Sequence, residues 1–321
     1  MDNGWLSRLA GFFAGSTGRY DHAIIEAVEL AVKIADPDIR QVRRYKHLLY
    51  ESMAGAMEYF HSMTAAIPGP VVLTSSRYHE DPLVRALFKS PEELEEVLQL
   101  SPEVRNLQGQ GGRGNVTAMM TMSKEERTVF GNKQVGKLMV REVRQQAVSF
   151  YDHRMVAAAF DAANTENGIV HRGVEVLANV AMERLATLQG EKAELYGQKE
   201  YLRAMLKIFG GKSACEKLFS VPSAENRAKI EKIEKKMMAL DQRLLELTDL
   251  IGRPEQSFEL LEKIVRYPEE ILQVRNQSFR LDWKGIRVED ASDEDSDLIH
   301  LAEFNLEEMC RFAVLVTFTL D

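Results

Sequence analysis

The sequence predicts an α+β fold, predominantly helical, in which a small antiparallel sheet body is interrupted by a long antiparallel coiled-coil hairpin. Three observations lead there. Ile230, Ile233, Met237, Leu240, Leu244, Leu247 and Ile251 alternate at spacings of three and four, an unbroken heptad seam. Upstream, Leu188, Leu195, Leu202 and Phe209 recur at every seventh residue. A stretch rich in Val, Thr, Met and Phe at 115–157 precedes this pair, and strand-like runs at 279–288 and 312–320 follow it. The ends of an antiparallel hairpin return to one place, which lets a sheet close across its base. The chain then divides into an N-terminal helical region (1–110), a β-rich segment (111–169), a hairpin arm (170–252) and a C-terminal helix with strands completing the body (253–321).

With 321 residues, 45% hydrophobic and 28% charged, the chain has the composition of a globular protein with a sizeable core. A net charge of -8 disfavours nucleic acid as a partner, since phosphate contact needs a clustered positive surface. Cys215 and Cys310 stand far apart in unlike contexts, which points to neither a ligand cluster nor a disulfide scaffold and places the protein in a reducing, cytoplasmic setting. No apolar run is long enough to span a bilayer. Near the N-terminus, Trp5, Leu9, Phe12 and Phe13 surround a single Arg8. They suit packing on the protein's own core, with contact to a membrane surface or a partner as the alternative.

Each element has its own grounds. Residues 21–35 carry a broad apolar face (Ile24, Val28, Ala31, Val32) that Pro37 closes, with Asp36 or Asp38 as a cap for the next helix. A second helical stripe runs from Ile39 through Leu49, Met53, Ala56 and Phe60 to Ile67, and Arg40, Arg43, Arg44, Lys46 and His47 make its first half basic. Such a run is a solvated face or a contact for an acidic partner. Pro68-Gly69-Pro70 ends it. Helix starts come next at Asp81-Pro82, Ser90-Pro91 and Ser101-Pro102, the last two pairing a Ser cap with Pro at the first helical position. Glu93, three residues after Ser90, completes a capping box.

The period then changes. Residues 116–122 read as a strand, 123–126 as a turn and 127–130 as a returning strand, with 137–143 ambiguous and 147–150 extended again. Helical periodicity resumes over 170–209, roughly 60 Å of helix, and the second arm (226–251) is roughly 40 Å. Arg184, Glu191 and Gln198 occupy alternate core positions of the first arm, so its seam is the more polar. After Pro254, residues 258–265 suggest a helix. Phe279, Leu281 and Trp283 alternate ahead of a turn at Lys284-Gly285, an acidic loop spans 289–297, and 298–304 is apolar. The β-branched run 312–320 suits a central strand.

No motif compels a reaction. Gly109-Gln110-Gly111-Gly112-Arg113-Gly114 has the glycine spacing of a phosphate loop, yet it leaves a helix and opens a strand, the reverse of a dinucleotide site. Gly211-Lys212-Ser213 lacks the leading glycine of a nucleotide loop. The seven histidines form no metal-ligand spacing, and the acidic loop lacks the glycine and terminal glutamate of a calcium loop. These features imply no cofactor and no metal, and the balance leans away from an enzyme.

The expected function is therefore a non-enzymatic interaction, scaffold or assembly role. The seam Ile230, Ile233, Met237, Leu240, Leu244 and Leu247, with Arg184, Glu191 and Gln198, would meet a protein partner or a second copy. Two alternatives stand beside it. One is a peripheral membrane protein anchored by Trp5, Leu9, Phe12 and Phe13. The other is an enzyme or anion-binding protein using the 109–114 loop and Asp152, His153 and Arg154.

Overall fold

The computed structural model describes residues 21–135, 138–209, 224–288, 296–307 and 309–320, with the α+β, mostly helical fold the sequence predicts. The chain clusters into two compact units. One comprises Met1–Met53 with Glu175–Arg266, the other Ala54–Val174 with Tyr267–Asp321.

In the first unit, helix α1 (His22–Ala35) starts where the Asp21 side chain accepts from the Ala23 amide, and it buries Ala27, Val28, Ala31 and Val32. Asp36 then caps a short 3-10 turn, Pro37–Gln41, by accepting from the Asp38 amide. Helix α2 (Tyr45–Ala65) begins only after this, so the continuous helix expected over 39–67 is broken. Val42 is extended and Arg44 adopts a left-handed backbone at φ 62°. The bend lets Ile39 and Leu49 both reach the core, each wholly buried.

The long helix α6 (Ala162–Phe209) supplies its part from Glu175 onward to this unit, where α7 (Ala224–Leu250) lies beside it. Helix α8 (Pro254–Arg266) comes next, starting four residues before the expected position. The Gln256 amide donates to the carbonyls of Thr248 and Asp249, tying the start of α8 to the end of α7. The Ser52 hydroxyl donates to Glu262, joining α2 to α8.

The second unit is a six-stranded sheet in the order β3-β2-β6-β5-β4, with β1 (Val71–Val72) added parallel to β6. β6 (Met309–Leu320) is central, as its composition suggests, pairing with β2 (Gly114–Val135), β5 (Ser296–Leu306) and β1. Strands that lie on either side of the helical hairpin in the sequence thus share one sheet, as expected. β4 (Leu272–Asp282) is longer than the predicted 279–283 strand because its first half pairs with β5 out to Leu306.

The predicted turn at 123–126 is absent. β2 runs unbroken for 22 residues and pairs with an equally long β3 (Leu138–Ala159). β2 leaves β6 at Met122, and beyond that point it pairs with β3 alone. Opposite Lys124 and Glu126, β3 turns Phe150 and Val148 into the core, so Ser123, Lys124, Glu125 and Glu126 are strand residues despite their polarity. Register shifts near Glu142, Asp152 and Ala157, each with a left-handed backbone, mark β-bulges that bend the ribbon.

The sheet curls until its edges meet. Ile286 bridges to Ala147 of β3, and Arg287 to Leu281 of β4. Inside the curl, Phe150, Phe279 and Phe312, from β3, β4 and β6, stack edge-on with centroids 5.6 to 6.1 Å apart. Lys124 extends over two of these rings, its ammonium 5.0 Å from the Phe279 centroid and 5.1 Å from that of Phe312. Three short helices, α3 (Pro82–Leu87), α4 (Pro91–Leu100) and α5 (Pro102–Gly109), cover this core. Ser90 accepts from the Glu93 amide as predicted, while the Glu93 carboxylate accepts from Lys89, one residue before the cap. On the sheet's other face, Met119, Ala302 and Ala313 meet Ile67 and Ile169. Gly69, at φ 118°, passes so close to the Leu315 carbonyl that a Cβ would stand 2.4 Å from it.

α6 starts at Ala162, eight residues before the expected 170. Its first turn is held by tertiary bonds, the Thr165 hydroxyl donating to the Thr117 carbonyl at 2.9 Å.

Candidate functional site

The hairpin seam is filled from within the chain. Ile233, Leu244, Leu247 and Ile251 are buried, and Ile230, Met237 and Leu240 half-buried, opposite half-buried Leu188, Leu195 and Leu202 of α6. Polar contacts fix the antiparallel register. Arg243 donates twice to one oxygen of Glu191, at 2.9 and 2.8 Å, Lys199 pairs with Asp241, and Lys192 donates to the Ile251 carbonyl at 3.3 Å. Near the far end, the Lys229 ammonium lies 5.7 Å from the centroid of Phe209.

Of the three polar seam positions, Glu191 is thus engaged by the opposite arm. Gln198 donates to Glu194 of its own helix, and Arg184 is exposed. Outside the seam, Tyr196, Met238 and Leu245 are 48%, 73% and 59% exposed. Their helical phase places all three on the flank that carries the Lys199–Asp241 pair. Trp5, Leu9, Phe12 and Phe13 lie outside the described residues, as do Gly211-Lys212-Ser213 and most of the acidic loop. Asp297, at that loop's end, pairs with Arg85 at 2.9 Å.

The Asp152 region is built as a latch. The Asp152 carboxylate accepts from Arg154 at 3.1 Å and from Arg311 at 2.7 Å, and its carbonyl accepts from Arg311 at 2.6 Å. Arg311 reaches across from β6 to β3 where β2 leaves β6, and its hydrogen bond, helped by Arg154, holds the carboxyl below the usual Asp range. The bulge at Asp152 turns the next residue inward. His153 stacks on Phe88 with centroids 4.7 Å apart, and its Nε2 is buried without a partner among the described residues. Burial pushes its pKa below the ordinary value, so the ring is neutral. Asp152 and His153 point apart and do not form an acid–base pair.

The other chemical candidates are equally structural. Although Cys310 is exposed, partial desolvation, reinforced by the Glu303 carboxylate, pushes its thiol up to about 11, the opposite of an activated nucleophile. In the glycine loop, the amides of Gln110, Gly111 and Gly112 donate to carbonyls of the last turn of α5 and cannot also cradle a phosphate. Among the described residues, no group of three His, Cys, Asp or Glu side chains could hold a metal.

The first unit carries an open groove of about 590 Å³ where α1, the 3-10 turn and α2 meet. Ile25, Val42, Tyr45 and Tyr50 give it apolar walls, and Arg40, Gln41, Arg43, Arg44, Lys46 and His47 line the rest. Glu29, beside the groove, accepts from Lys46 and Tyr45 at 2.6 Å each and from Arg40 at 3.3 Å. The Lys46 bond, then that of Tyr45, draws the Glu29 carboxyl below its usual range. Arg43 and Arg44 are exposed, and neither side chain forms an ion pair or hydrogen bond among the described residues.

No known family, characterised protein or solved structure matches this chain. Among the described residues, no helix is long and apolar enough to cross a membrane.

Proposed function

We propose that this chain is a non-enzymatic scaffold, adaptor or assembly protein of the cytoplasm that engages a protein partner, or a second copy of itself, through its coiled-coil hairpin. One observation carries the reading. The seam between α6 and α7 is satisfied within the chain, yet Tyr196, Met238 and Leu245 remain exposed along one flank. Aromatic and Met side chains are favoured at contact surfaces, where their area is buried at low entropic cost. The partner therefore meets the outer flank rather than the seam residues Ile230 to Leu247. Scattered cysteines without a disulfide framework support the cytoplasmic placement.

The test is the double substitution Met238→Glu and Leu245→Glu, assayed by crosslinking in the native host and by light scattering of the purified protein. Loss of a specific crosslinked partner or of self-association, with unchanged circular dichroism, is the expected result. Retention of every crosslink and of oligomeric state would remove the hairpin flank as the contact.

A further inference from the structure

The groove at the corner of α1 and α2 concentrates positive charge on a chain whose net charge is -8. Among the described residues, four Arg or Lys side chains line it and no carboxylate does. Glu29 offsets part of this charge from the side by holding Arg40 and Lys46. Arg43 and Arg44 are left over. The helix break presents them together, because Arg44 takes a left-handed backbone that L-residues adopt at a cost. An uninterrupted helix would instead have turned successive residues about 100° apart.

We infer that this groove is a docking site for an acidic segment of a protein partner, with Arg43 and Arg44 receiving its carboxylates and Ile25 and Val42 its apolar side chains. Two observations select that occupant. First, the anion this cluster already holds is a carboxylate, since Glu29 accepts from Arg40, Lys46 and Tyr45 together. Second, the groove is open and partly apolar-walled, which suits an extended peptide with mixed side chains better than a compact polyanion. Arginine forks match carboxylates in two parallel hydrogen bonds, so adjacent Arg43 and Arg44 can take successive acidic residues. The site shares no residue with the hairpin flank, so failure of either reading leaves the other standing.

The test uses the full chain and a fluorescein-labelled decapeptide of Glu residues around a central Phe, read by fluorescence anisotropy. Saturable binding is expected, at least tenfold weaker for the Glu-to-Gln version of the peptide and for Arg43→Glu/Arg44→Glu. Added salt should weaken it, as for any exposed charge contact. Arg43→Gln/Arg44→Gln serves if reversed charges disturb the fold, and it must weaken binding at least threefold. Absence of binding, equal binding of the Gln peptide, or indifference to both double variants overturns the inference. So does tighter, Arg43- and Arg44-dependent binding of pyrophosphate, single-stranded RNA or phosphatidylserine vesicles, each an outcome that assigns the groove to a different ligand.

Discussion

Truncating the seam leucines one at a time separates a hairpin sealed within one chain from a helix that waits for another. Leu247 is wholly buried, Leu244 is 6% exposed and Leu240 only half-buried. Removing a fully buried Leu side chain to Cβ loses its transfer free energy and leaves a cavity, together about 3–5 kcal/mol. Leu247→Ala should therefore cost about 3–5 kcal/mol and Leu244→Ala slightly less. Leu240→Ala, with about half the area to lose, should cost about 1–2 kcal/mol. Urea unfolding followed by circular dichroism gives the order, and hydrogen exchange over 185–209 and 226–250 shows whether both arms loosen together. If all three variants lose the same small amount, the seam is not closed within the chain and the internal pairing is wrong.

Three further outcomes concern single sites. His153 is buried with its pKa lowered from 6.5, so the unfolded chain binds its proton first as pH falls. Stability should be full above about pH 6.5 and decline below it by up to about 1.4 kcal/mol per pH unit, a slope that His153→Leu should abolish in urea titrations. The Asp152 contribution lies in a separate window, because its carboxyl titrates below 3.8 in the folded protein and is lost only in stronger acid. Gly173 lies against the Phe60 ring, where an added Cβ would stand 2.6 Å away. Gly173→Ala should thus lower the melting temperature, because about 1–3 kcal/mol of overpacking outweighs about 1 kcal/mol of helix propensity. Finally, Cys310, with its pKa near 11 against an ordinary 9.0, should alkylate at pH 8 about a hundredfold more slowly than a free thiol. Mass spectrometry with iodoacetamide measures this, and rapid labelling would reopen a nucleophilic role.

Local periodicity and capping control the parts of the fold that were legible in the sequence. Helix α1 follows from the apolar face of 21–35, α3 and α4 from the Asp81-Pro82 and Ser90-Pro91 starts, and α7 from an uninterrupted heptad seam; α5 starts at Ser101-Pro102 as expected, but the buried Ser101 hydroxyl makes no capping hydrogen bond among the described residues. The central place of β6 is set by its run of β-branched and aromatic residues, buried on both faces. The long ribbon was hidden for an equally physical reason. Past Met122 β2 pairs with β3 alone and the core residues of this stretch, Phe150 and Val148, stand on β3, so the period-2 signal of β2 stops while the pairing continues. Its bulges fall at Glu142, Asp152 and Ala157, none of them glycine, so nothing in the composition marks the bends. The start of α6 was hidden because Asn164, Thr165 and Gly168 are poor helix formers, and tertiary contacts with Thr117 and Ala157 hold them helical.

The groove sits between these cases. Its basic residues are plain in the sequence, but a helix drawn through Ile39 and Ile67 spreads them around a cylinder, where a solvated face explains them. The break at Arg44 changes the meaning of the same residues, because it turns a helical stripe into the wall of a cavity and leaves two arginines facing solvent, with no carboxylate paired to them among the described residues. The composition was visible from the start; the site depends on a single backbone angle, carried by an arginine where a glycine would have drawn attention.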